Sequence, residues 1–185
     1  MKITRISILI FCLSLTGFST RAQVRPDAIP SKLMDKSIRA VLGTNQSPNW
    51  QAIVVADSTR RSLEGQLKIK SQIPDTLHIG IIQTEEAKNY IIPDIAPSRS
   101  EKFSYVLYID SAHQIVGVDV LQYRENYGNE IDYPFFRKQF HGKRQPDEII
   151  FGRTIQNISG ATISARSITY SVHDLMLMLN QITLP

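Results

Sequence analysis

Cysteine is almost missing from this sequence: of 185 residues only Cys12 carries a thiol. Cys12 falls in an N-terminal stretch that reads as a leader, so the mature chain is expected to hold none. Disulfides, thiolate metal sites, iron–sulfur clusters and cysteine nucleophiles are thereby excluded together. Long apolar runs are lacking too. Ile6 to Leu15 is broken by Ser7, Cys12 and Ser14, and it falls short of the roughly 18–20 residues that span a bilayer. An excess of one charge is also absent. The formal charge is +4, but Lys2, Arg5 and Arg21 belong to the leader, and beyond it 18 basic residues face 17 acidic ones. That balance gives no field for nucleic acid, and Arg60-Arg61 and Lys143-Arg144 are only short pairs. His78, His113, His141 and His173 show no metal-ligand spacing. Repeats and low-complexity tracts are missing as well.

The leader itself is readable. Lys2 and Arg5 precede the apolar stretch, and Thr20-Arg21-Ala22 offers small residues where a signal peptidase reads. Residues 1–22 are therefore expected to be a signal peptide, with Gln23 first after cleavage and the protein exported to a periplasmic space. Phe11 before Cys12 argues against a lipoprotein. An uncleaved membrane anchor is the alternative.

Apolar content of 42% with 21% charged residues suits a packed core. Gln23 to Pro30 reads as a loose linker. Leu33, Ile38, Val41 and Leu42 predict a helix over Ser31 to Leu42, ended by Gly43. Gln66 to Gln72 and Leu77 to Gln83 read as strands around a turn at Pro74-Asp75. Pro93 and Pro97 mark a loop running to Ser100. Lys102 to Asp110 alternates, with Phe103, Tyr105, Leu107 and Ile109 on one face, and Ile115 to Tyr123 follows as its hairpin partner. Asp132 to Phe140 predicts a short helix, and Asp147 to Phe151 a strand. Ile168, Val172, Leu175, Leu179 and Ile182 repeat at helical steps and define the last helix. The expected fold class is α+β, an antiparallel sheet with packed helices. Residues 23–100 would supply a helix and strands of the same domain whose core is 101–185.

Chemistry concentrates in Gln156-Asn157-Ile158-Ser159-Gly160-Ala161-Thr162-Ile163-Ser164. This is a small-residue turn at the start of the last helix. Helix N-termini present free amides and a positive dipole end, so the turn is either a helix cap or a phosphate site. Gly160 allows close approach, and Thr162 and Ser164 bring hydroxyls.

Ser159-Gly160-Ala161-Thr162, followed by Ile163-Ser164, resembles the flavinylation motif of the FMN-binding domain family. That family includes the flavoprotein subunits of sodium-pumping NADH:quinone oxidoreductase and of the Rnf complex. The hairpin, the loop Tyr123-Arg124-Glu125-Asn126-Tyr127-Gly128, then Phe136, Gln139-Phe140 and Gly142-Lys143 follow the family's order. The resemblance covers Phe103 to about Val172. It implies an electron carrier with FMN esterified through its phosphate to Thr162. The bond would be made by an extracytoplasmic flavin transferase that uses FAD. A further redox partner, membrane-bound or not, would be unnamed.

The same resemblance implies that Ser159, Gly160, Ala161 and Ser164 line the cofactor, and that the loop residues Tyr123, Arg124, Glu125 and Gly128 approach its ring. Tyr123 and Tyr127 are candidates for stacking on the ring or for aromatic packing in the core. Lys143 and Arg166 are candidates for neutralising the phosphate. Glu125 beside the ring would lower its reduction potential and Arg124 would raise it. Two departures stand out: Gln156 replaces an Asp common in the family, and Thr-Pro is missing from the loop. The alternatives are an exported interaction module without flavin, and a hydrolase using Ser159 or Ser164. The second lacks a Gly-x-Ser-x-Gly elbow.

Overall fold

In the computed structural model, which describes Gln23 and residues 25–68, 73–85 and 87–185, five strands run in sequence order across one antiparallel sheet. They are β1 (Asn49–Val54), β2 (Thr76–Gln83), β3 (Lys88–Pro97), β4 (Lys102–Asp110) and β5 (Ile115–Gln122). The helices are α1 (Ser31–Leu42), α2 (Asp57–Leu63), α3 (Pro134–Arg137) and α4 (Thr162–Leu179). The expected α+β class and the β4–β5 hairpin are both present. The leader lies outside the described residues. Among the described residues no helix is long and apolar enough to cross a membrane.

The period-2 geometry of strands splits the apolar residues between two cores. Phe103, Tyr105, Leu107 and Ile109 of β4 face the larger core, with α4 packed on it. Val106 and Tyr108 face the smaller one, under α1. β4 is thus covered on both faces, which explains its nearly unbroken apolar run. α1 lies against β5, and Gly117 makes this possible: a Cβ there would stand 2.7 Å from Val41 Cγ1. At the hairpin turn, Asp110 Oδ1 accepts from the amides of Ala112 and Gln114, each at 2.8 Å. These bonds hold His113 in its left-handed conformation, at φ 57°.

Several sequence expectations need correction. The segment with Pro93 and Pro97 is strand β3, not a loop. β2 pairs with β3 only from Gly80↔Ile91 to Gln83↔Lys88, so from Ile92 onward the described ladder is with β4 alone. A proline there costs no bond to β2. Gln23 is not part of a loose linker. Its side chain accepts from the His78 amide at 2.6 Å and donates to the His78 carbonyl at 3.0 Å, pinning the chain to β2. Residues 66–68 form turn and bend, and 69–72 fall outside the described residues. Asp147 to Phe151 is not a strand; it holds a 3-10 turn, Pro146–Glu148, and a lone bridge between Phe151 and Ile155. β1 and α2 went unread because each is short and half exposed.

Candidate functional site

α4 begins at Thr162, immediately after Gly160 at φ 88° and Ala161 as N-cap. Ala161 makes no side-chain cap bond, and no carboxylate or hydroxyl of the N-cap consumes the first amides. The helix therefore keeps its N-terminal donors and dipole for an external acceptor, the arrangement a phosphate favours. Thr162 is exposed. Asn157 Nδ2 donates to its Oγ1 at 2.9 Å. Ser159 and Gly160 are exposed beside it, and Ala161 is buried.

Two residues further along, Ser164 is only 2% exposed. Its Oγ is 2.7 Å from the Tyr123 hydroxyl, which also lies 2.9 Å from the Tyr127 carbonyl. A carbonyl can only accept, so the Tyr123 proton goes to Tyr127 and Ser164 must donate to Tyr123. Burial raises the Tyr123 pKa above the usual phenol value. The bond with Ser164 acts against this, and the carboxylates of Glu125 and Glu130 add to it. The phenol thus stays neutral and keeps the proton this chain of bonds requires.

The loop that the sequence assigned to the cofactor is thereby tied to the start of α4. Gly128, at φ 91°, closes it, and a Cβ there would strike the Tyr123 hydroxyl and come within 3.2 Å of Ser164 Oγ. Gly160 is favoured by its φ of 88°, and a Cβ there would stand 2.5 Å from Glu130 Oε1, so that carboxylate would have to shift. Glu130 belongs to the 3-10 turn Asn129–Asp132, whose packing against α4 brings its carboxylate onto the motif. Oε2 of that carboxylate is buried without a hydrogen-bond partner.

Glu125 has a task of its own. Its Oε1 accepts from the Ser98 hydroxyl and from the amides of Ser100 and Glu101, both at 2.8 Å. These bonds, led by that from Ser98, hold its pKa below the usual carboxylate range. Arg124 is exposed and donates to Gln122 Oε1 at 3.2 Å. Tyr127, 82% exposed, and Ile163, 55% exposed, are free apolar surface. Arg166 lies one turn beyond Thr162, its guanidinium 5.3 Å from the Phe151 ring centre. Lys143 is not brought to the motif. Its carbonyl accepts from the Ile115 amide at 2.8 Å, at the opposite end of β5 from the loop.

Sequence reasoning missed three contributors. One is the Asn157 amide. Another is Glu130. The third is Gln139, whose Oε1 accepts from the Gln156 amide at 2.6 Å while its Nε2 donates to the Gln156 carbonyl at 3.3 Å. Gln156 itself donates to the Arg153 carbonyl at 2.8 Å, a bond that an aspartate cannot make. None carries a signal readable without the fold, because each acts across a turn or between elements. The hydrolase alternative loses Ser164, whose proton is committed to Tyr123. Among the described residues, no group of three His, Cys, Asp or Glu side chains is placed to hold a metal ion.

The candidate site is thus an uncapped helix start with an exposed threonine, bordered by a loop, on an α+β scaffold. Residues 100–176 match the family model of the FMN-binding domain, which bears out the resemblance read from the sequence. The fold is similar to that of a solved subunit of the Na(+)-translocating NADH-quinone reductase from Parabacteroides distasonis, with a TM-score of 0.52 and 13% identity, covering 86% of this chain and 100% of that one. No curated protein matches the chain.

Proposed function

We propose that this protein is an exported electron carrier whose FMN is bonded through its phosphate to Thr162. One observation carries the reading. Within the FMN-binding domain match, Thr162 is an exposed hydroxyl on the first residue of a helix whose start has no side-chain cap. The residues fit the group. The α4 amides and dipole suit the phosphate, Arg166 adds positive charge one turn away, and Tyr127 and Ile163 offer apolar surface to a flat ring. Bound FMN supplies the redox chemistry; the chain's part is to hold the phosphate, border the ring and set its surroundings. An electron-transfer role is supported by the similarity in fold to part of an NADH-quinone reductase.

Export fits a covalent link. Away from the cytoplasmic flavin pool a dissociated cofactor is not replaced, and an ester prevents the loss. The partners in this reading are a flavin transferase with FAD as donor and a redox partner, recognisable by its reduction of the attached flavin. Purified protein from cells that also make the transferase is expected to be yellow, to keep its flavin after denaturation and to titrate reversibly with a reductant. Colourless protein under those conditions contradicts the reading. N-terminal sequencing is expected to begin at Gln23, and a retained leader contradicts cleavage.

A further inference from the structure

We propose that Asn157 selects and presents Thr162 as the acceptor hydroxyl, an inference that rests on the attachment reading above and names the residue that positions it. Three hydroxyls crowd this turn: Ser159, Thr162 and Ser164. Ser164 is withdrawn, being buried and committed as donor to Tyr123. Ser159 lies before Gly160, outside the helix. Thr162 is exposed like Ser159, but of the three it alone is both on the helix and held at 2.9 Å by the Asn157 amide.

The direction of that bond matters. The transfer joins Thr162 Oγ1 to the FMN-side phosphorus of FAD and breaks the bond from that phosphorus to the bridging oxygen. AMP leaves on that oxygen, and the hydroxyl proton passes to a base of the transferase. Asn157 Nδ2 occupies one lone pair of Oγ1, so the hydroxyl hydrogen points away from Asn157, toward solvent and the approaching base. The second lone pair is left for the phosphorus. As the proton leaves, Oγ1 gains negative charge and the same bond strengthens. A free threonine rotor would have to be fixed in this orientation during the reaction.

The donor is well anchored for this work. Gln139 clamps both backbone polar groups of Gln156, the residue before Asn157. Gln156 in turn is tied to Arg153. The Asn157 side chain therefore projects from a fixed backbone, across the Ser159-Gly160 turn, to the first residue of α4.

The test uses the full mature chain, FAD and a purified extracytoplasmic flavin transferase, with FMN incorporation followed by intact mass. Asn157→Ala is expected to lower kcat for incorporation about tenfold, the scale of one oriented hydrogen bond. KM for the chain and the melting temperature should stay unchanged, because Asn157 is exposed. Asn157→Asp matches the side chain in size but cannot donate when ionised, and it is expected to be slowed at least as much. Wild-type kcat in either variant overturns the inference, as does a rate loss that appears only in KM or merely follows lost stability. No incorporation into the wild-type chain overturns the attachment reading and this inference with it. Incorporation that Thr162→Ala abolishes but Asn157→Ala leaves intact overturns the inference alone.

Discussion

The two sides of the first turn of α4 hold the same chemical group and use it in opposite ways. On the open side the Thr162 hydroxyl accepts a bond and faces solvent. On the inner side the Ser164 hydroxyl donates a bond, is buried, and fastens the 123–128 loop to the helix. Two residues separate them, about 200° around a helix of 3.6 residues per turn. Helical geometry thus sends one hydroxyl of a run of small residues to solvent and the other into the core, as a fastener. What distinguishes the two is their surroundings, not their residue type.

The sharpest way to break this comparison is to remove the open hydroxyl. Thr162→Ala is expected to abolish FMN incorporation, with Ser164 unable to substitute, as read by intact mass after co-expression with the transferase. Label moving to Ser164 would erase the distinction between the sides. Next in size is Gly160→Ala. A side chain at φ 88° is strained and would meet Glu130 at 2.5 Å, so the variant should lose about 1–3 kcal/mol of stability in denaturant unfolding. Incorporation should slow with it, because the turn before Thr162 must move. Unchanged stability would show that the turn yields freely.

The fastening side calls for a smaller effect. Tyr123→Phe removes one hydrogen bond to Tyr127 and leaves the Ser164 donor unpaired, at a cost of about 1 kcal/mol. Ser164→Ala should cost a similar amount, and the double variant less than the sum of the two. All three should still take FMN on Thr162. A simple sum would mean that the two hydroxyls act independently.

The smallest effect is at the far end of the loop. The folded state lowers the Glu125 pKa through its bonds from Ser98, Ser100 and Glu101. Its stabilisation is therefore present above the ordinary carboxylate range and is lost as pH falls through the lowered folded value. Protection of the Ser100 and Glu101 amides, taken as exchange relative to the intrinsic rate at each pH, should fall over that window in the native chain. In Glu125→Gln that protection should already be lower at neutral pH, and the acid step should be gone.

Elements with strong local patterns were legible from the sequence alone. α1 and its glycine stop, the β4–β5 hairpin and α4 each repeat apolar residues at their own period. β3 was not legible, because Pro93 and Pro97 read as breakers until the partial β2–β3 register showed where a missing amide costs nothing. The site divided along the same line. The run from Ser159 to Ser164 is contiguous and could be read directly. Asn157 lies in the longer run, but its bond to Thr162 crosses a turn, and Glu130 and Gln139 reach the motif only because 3-10 turns fold back against α4 and its leading segment. The bonds of Glu125 to residues 98–101 are likewise visible only in the fold, because they join segments some 25 residues apart.

The most direct test of the central claim is the location of the flavin. Cleavage at Arg153 and Arg166 releases residues 154–166, which contain Ser159, Thr162 and Ser164 together. Protein co-expressed with the transferase should be denatured, digested and fragmented in the mass spectrometer. This peptide should carry one FMN, with fragments that place it on Thr162. Flavin released on denaturation, or fragments placing it on Ser159 or Ser164, would contradict the claim.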